Sequence, residues 1–112
     1  MTSPHPKREA QGEFSIGGDL WPGLSKLIEE AGEVQQVCGK IIGARGHPHH
    51  WDGTNLRDRL MSEMGDLLAA IHFAADANYL EWSTIYACST EKLALFHKWH
   101  REPAAMPSKD FK

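Results

Sequence analysis

The sequence is poor in cysteine, in long apolar runs and in positive charge, and each shortage removes a class of function. Cys38 and Cys88 are the only two cysteines among 112 residues. Widely spaced and set among apolar neighbours, they predict buried free thiols rather than a disulfide or a metal pair. No uninterrupted apolar stretch approaches the roughly 20 residues that a spanning helix needs, and the opening MTSPHPKREAQ lacks the apolar segment of a signal peptide. The expectation is a cytoplasmic protein without a membrane partner. Twelve Lys and Arg against fifteen Asp and Glu give a net charge of −3, which provides no broad cationic surface for a nucleic acid duplex. Internal repeats are missing, and no stretch alternates with period two for long enough to make a strand.

What is present reads as an ordinary globular chain. Hydrophobic residues make up 41% and charged residues 24%, which excludes a disordered or fibrous protein. At roughly 100 to 200 residues per domain, the length allows one compact domain. Such a small chain buries a modest core, so completion of that core by oligomerisation is expected. Residues 1–18, with two Pro and three Gly, predict a flexible N-terminal arm, and residues 102–112, with Pro103 and Pro107, a flexible C-terminal tail. The helical domain is expected over residues 19–101.

Three helical stretches fill it, so the fold class is all-α. Leu20, Leu24, Leu27, Ile28, Ala31, Val34, Cys38, Ile41 and Ile42 recur every three or four residues, with Asp19 as N-cap and Gly43 as a stop. The second helix covers about residues 55–77, aligning Leu56, Leu60, Met64, Leu67, Ile71 and Ala74. Thr54 or Asn55 caps it, and Asn78 in a left-handed conformation ends it. The third runs over about residues 80–101, carrying Trp82, Ile85, Cys88, Phe96 and Trp99 on one side.

Acidic pairs flank two of these stripes. Glu30 and Glu33 lie roughly 60° and 120° to one side of Leu27, with Glu29 slightly further round; Glu63 and Asp66 take the same offsets from Leu60. In an antiparallel hairpin, equal offsets make the two acidic edges either converge or diverge, according to its hand. Converging carboxylates would repel one another by several kcal/mol, so they imply bound cations or shared protons. Hard, all-oxygen donors select Mg2+, with Mn2+ as a substitute, over zinc or copper. Gly32 and Gly65 sit between the paired acids, although a mid-helix Gly costs about 1 kcal/mol relative to Ala. Close helix approach or ligand access would explain them.

The segments Leu-Ile-Glu29-Glu30-Ala-Gly-Glu33 and Leu-Met-Ser-Glu63-Met-Gly-Asp66-Leu-Leu resemble the two metal-binding segments of the MazG-like all-alpha nucleoside triphosphate pyrophosphohydrolases. The resemblance spans about residues 20–101. It implies a helical bundle, a homodimer or homotetramer, and Mg2+-dependent hydrolysis of a (deoxy)nucleoside triphosphate to the monophosphate and pyrophosphate. Glu30, Glu33, Glu63 and Asp66 would be the metal ligands, with Glu29 assisting catalysis by orienting the water. The 29 residues between Glu33 and Glu63 are at or beyond the family's usual upper end, because residues 44–55 form a long loop containing Gly and His.

Lys92 lies on the apolar side of the third helix, where a charged group is unexpected unless it reaches a wet cavity, and it falls where the family often has a phosphate-contacting Lys. Trp21 and Trp51 are candidates for stacking on a base. His47, His49 and His50 read as a solvated loop, since a Gly-Pro loop rarely fixes three imidazoles in one geometry. The absence of any Glu-x-x-His argues against a ferritin-like di-iron bundle. A non-catalytic helical dimerisation or nucleotide-binding module is the alternative function.

Overall fold

The computed structural model describes residues 12–49 and 52–102, and its regular structure is three helices: α1 (Leu24–Gly43), α2 (Leu56–Ala77) and α3 (Trp82–Arg101). The protein is all-α. Among the described residues there is no strand, only an isolated bridge between His49 and Asn55 ahead of α2. Residues 1–11 of the expected arm, residues 103–112 of the expected tail, and His50 and Trp51 lie outside the described residues. The chain divides into two compact units, Met1–Leu80 and Glu81–Lys112. Tyr79, left-handed at φ 56°, stands just before the division.

The first unit begins earlier than the periodicity implies. Around the buried Ser15, the Oγ donates to the Gly12 carbonyl at 2.8 Å, and the Ser15 carbonyl accepts from the N–H groups of Gly18 and Gly23 at 3.0 and 3.1 Å. The N–H of Ser25 donates to the Phe14 carbonyl at 3.0 Å. Residues 12–18, which the sequence assigns to the arm, are thus pinned onto the start of α1. Turns satisfied by backbone hydrogen bonds leave no hydrophobic period to read. The N-cap is Gly23 at φ 88°, not Asp19. A Cβ at Gly23 would stand 2.5 Å from Phe73 Cδ2, so both backbone and neighbour require glycine there.

The start of α2 matches expectation, with Asn55 Oδ1 accepting from the Asp58 N–H at 3.0 Å. Its end does not. Asn78 keeps φ −110° and Tyr79 takes the left-handed turn, because the Asn78 amide donates to the Ala74 carbonyl at 2.7 Å and to the Pro22 carbonyl at 3.0 Å. That second bond ties the end of α2 to the entry of α1. With Gly23 against Phe73 at the same end, the two helices form an antiparallel hairpin.

The core of this hairpin is small: Val37 on α1, and Leu56, Ala70, Ala74 and Ala75 on α2. Val37 lies about 80° from Leu27 on the side of Glu30, and Ala70 about 80° from Leu60 on the side of Glu63. On α1 the buried position is therefore displaced toward the acidic edge, while on α2 the buried Leu56 and Ala74 belong to the apolar stripe and Ala70 extends the packing toward Glu63. The other half stays open: Ile28 is 70% and Ile42 76% exposed, and Met61, Met64 and Leu68 are exposed on α2. Cys38 is a free and exposed thiol for the same reason, and Cys88 on α3 is exposed too, contrary to the burial expected of both.

In the second unit, α3 buries no residue. Trp82 and Ile85 are half-buried, while Cys88, Phe96 and Trp99 are exposed. Along its length Trp82 stacks on Tyr86 with ring centroids 5.1 Å apart, and Phe96 meets Trp99 at 5.7 Å.

Candidate metal centre

The rotation of the hairpin decides how the acidic edges meet. Glu30 from α1 and Glu63 and Asp66 from α2 each bring a carboxylate oxygen within 4.8 Å of the other two. Glu63 and Asp66 are three residues apart, one turn of α2, and Glu30 faces them across the helix pair. Glu30 and Glu63 are half-buried and Asp66 is exposed. Among the described residues this is the one group of three or more acidic, histidine or cysteine side chains close enough to share an ion. His47 and His49 form an edge contact, centroids 6.4 Å apart, but no such group.

Two other predicted residues are held differently. Glu33 continues the acidic edge of α1, and its Oε1 is 3.8 Å from Arg59 Nη2. The Arg59 Nε lies 3.5 Å from Glu63 Oε2. One guanidinium thus links the acidic edges of both helices, a residue the spacing of carboxylates gave no reason to seek. The signal was there: Arg59 precedes Glu63 by four residues, one helical turn on the same face. Glu29 pairs with Lys26, Nζ donating to Oε1 at 2.8 Å, and this bond raises the Lys26 proton affinity.

Electrostatics single out Glu30. Partial removal from water, followed by the charges of Asp66, Glu29 and Glu63, raises its pKa above the usual carboxylate value, while Lys26 pulls the other way. The folded protein therefore holds this proton to higher pH than the unfolded chain does. Its stabilising contribution is full below the ordinary carboxylate range and disappears as pH rises through the raised value. In metal-free buffer, thermal melts from about pH 4 to about pH 7 are expected to show a decline that Glu30→Gln flattens. Identical pH profiles for the two proteins would remove Glu30 from the repelling group.

Beside the carboxylates runs a groove of about 320 Å³, lined by Ile16, Lys26, Glu30, Asp66, Ala69, Ala70 and Phe73. Trp21, a sequence candidate for base stacking, is absent from this lining. It stands exposed at φ 47° on a separate hollow with Pro22, Asn78 and Tyr79. Trp51 lies outside the described residues, and Lys92 is exposed on α3 in the second unit. At Gly32 and Gly65 a Cβ would meet no described atom within 4 Å, so close helix approach within this chain does not explain either glycine.

No helix among the described residues is long and apolar enough to cross a membrane. Comparison of the chain with protein-family models, with curated proteins and with solved structures finds no match.

Proposed function

We propose that the protein is a Mg2+-dependent nucleoside triphosphate pyrophosphohydrolase of MazG-like type, releasing the monophosphate and pyrophosphate. The observation that carries this reading is the convergence of Glu30, Glu63 and Asp66 from two antiparallel helices. The donor set fits a magnesium ion: every donor is a hard oxygen, and beside the desolvation that chiefly raises the Glu30 pKa, the charges of Asp66, Glu29 and Glu63 add repulsion that a cation would relieve. Glu30, Glu63 and Asp66 would hold it, with Glu33 next along α1 as a fourth ligand. When bound, the ion neutralises phosphate charge and lowers the pKa of water.

The chain's own groups supply the rest. Hydrolysis adds a water oxygen to a phosphorus of the α–β anhydride and breaks the bridging bond; the monophosphate and pyrophosphate leave, and the water's proton passes to a carboxylate. Glu29, steadied by Lys26, is the outer carboxylate assigned to orient that water. The resemblance also implies a phosphate contact for Lys92, a point charge on α3. Oligomerisation belongs to the same proposal, because Ile28, Ile42, Met61, Met64 and Leu68 leave an apolar face that a second copy would cover in a homodimer or homotetramer.

The test is phosphate release from a panel of nucleoside triphosphates with added pyrophosphatase, with and without Mg2+. Product that depends on both additions is expected. Absence of product from every nucleotide would transfer the chain to the alternative, a non-catalytic helical dimerisation or nucleotide-binding module.

A further inference from the structure

We infer that the groove between Ile16 and Phe73 seats the ring end of the nucleotide and selects it by bulk and shape rather than by its hydrogen-bonding edge. This rests on the pyrophosphohydrolase reading of the neighbouring carboxylates. The groove and the carboxylate group share Glu30 and Asp66, so a ligand whose phosphates are served at one end has its remainder directed along the other. On α2 the lining follows a single face: Asp66, then Ala69 and Ala70 one turn on, then Phe73 after a second turn. Seven residues at 1.5 Å each set Phe73 about 10 Å along the axis from Asp66, the scale of a nucleoside. The two alanines between acid and ring leave the space that larger residues would fill.

Both walls are held before any ligand arrives. The Phe73 ring edge abuts the backbone of Gly23, so closely that a Cβ there would collide with it. Ile16 sits in the turn around the buried Ser15, whose Oγ closes the turn on the Gly12 carbonyl and whose carbonyl, with that of Phe14, accepts from the N–H groups of Gly23 and Ser25 at the start of α1. A flat apolar ring between two such walls binds through stacking and exclusion of water. Apart from Lys26, whose Nζ donates to Glu29, and the carboxylates of Glu30 and Asp66, the described lining consists of Ile16, two alanines and Phe73, with no side-chain hydroxyl, amide or imidazole to read a base edge. An apolar pocket discriminates isosteres by about a hundredfold at most, whereas one built to hydrogen-bond its substrate reaches about 10⁴ or more.

Ala69 is exposed on α2, so a larger side chain there narrows the groove without entering the core. Affinities of Mg2+-loaded wild type and Ala69→Trp would be measured for three probes: inorganic tripolyphosphate and the α,β-imido triphosphates of uridine and cytidine, two rings of like shape and different edges. Wild type is expected to bind both nucleotides at least about tenfold more tightly than tripolyphosphate, with the two within about tenfold of each other. Ala69→Trp, with unchanged far-ultraviolet dichroism, is expected to bring both nucleotides down to the tripolyphosphate level and leave tripolyphosphate itself unchanged. Undiminished nucleotide binding by Ala69→Trp, or a uridine-to-cytidine ratio above about a hundredfold, overturns the groove assignment alone. Failure of wild type to bind any of the three overturns the pyrophosphohydrolase reading and the groove with it.

Discussion

Asp66→Asn is expected to lower turnover of the best nucleotide by at least about 10³-fold, since several kcal/mol of transition-state charge stabilisation depend on the ion it would hold and each 1.4 kcal/mol is tenfold. The helices should survive the change. Asp66 is exposed, and its charge helps raise the Glu30 pKa, so its neutralisation relieves repulsion in the metal-free protein and leaves its melting temperature equal or higher. Loss of activity without loss of fold is the pattern that separates a ligand from a structural residue. Glu63→Gln should behave alike in turnover, with the added release of Arg59 from one of its two partners. Near-normal rates in a folded Asp66→Asn protein would show that the ion, if used, is held elsewhere.

The largest effect on stability is expected from Gly23→Ala. A non-glycine residue at φ 88° costs about 1–2 kcal/mol, and the new methyl would stand 2.5 Å from Phe73 Cδ2, where either the ring or the helix entry must shift. Together these give a loss of about 2–4 kcal/mol, or roughly 10 °C or more in melting temperature for a unit of this size. Denaturant unfolding of Gly23→Ala and of Gly23→Ala/Phe73→Leu would check it. Removal of the ring edge should return the steric part of the loss and leave the backbone part, so the two substitutions should couple rather than add. Full additivity would mean that the ring does not bear on the glycine.

Those two positions also mark how far the sequence could be read. Three helices, the Asn55 cap and the acidic residues of the site are visible in spacing alone, because helical period and capping chemistry are local. The angle at which α1 and α2 meet is not local. Equal offsets of Glu30 and Glu63 permitted convergent or divergent edges, and tertiary packing around Val37, Ala70 and Ala74 made the choice. The stripe predicted too large a core for the same reason: Ile28 and Ile42 share it with Leu27, but α2 covers its other side. The turns around Ser15 escaped notice because their order comes from backbone hydrogen bonds between residues of weak pattern. Phe73 lies about 140° from Leu60, outside any apolar stripe, so its place in the groove had no periodic signal.

The offsets carry a further implication for assembly. Ile28, Ile42, Met61, Met64 and Leu68 lie on the side of their helices turned away from Glu33, Asp66 and Phe73. A second copy docking on those apolar residues would approach from the face opposite the groove.

Arg59 gives the hairpin a resident monovalent counter-ion. Exposed ion pairs of this length are worth about 1 kcal/mol or less each, and this guanidinium reaches carboxylates of both helices. On the proposed pyrophosphohydrolase reading, treatment with a chelator is expected to remove turnover without melting the hairpin, and restored magnesium to return it.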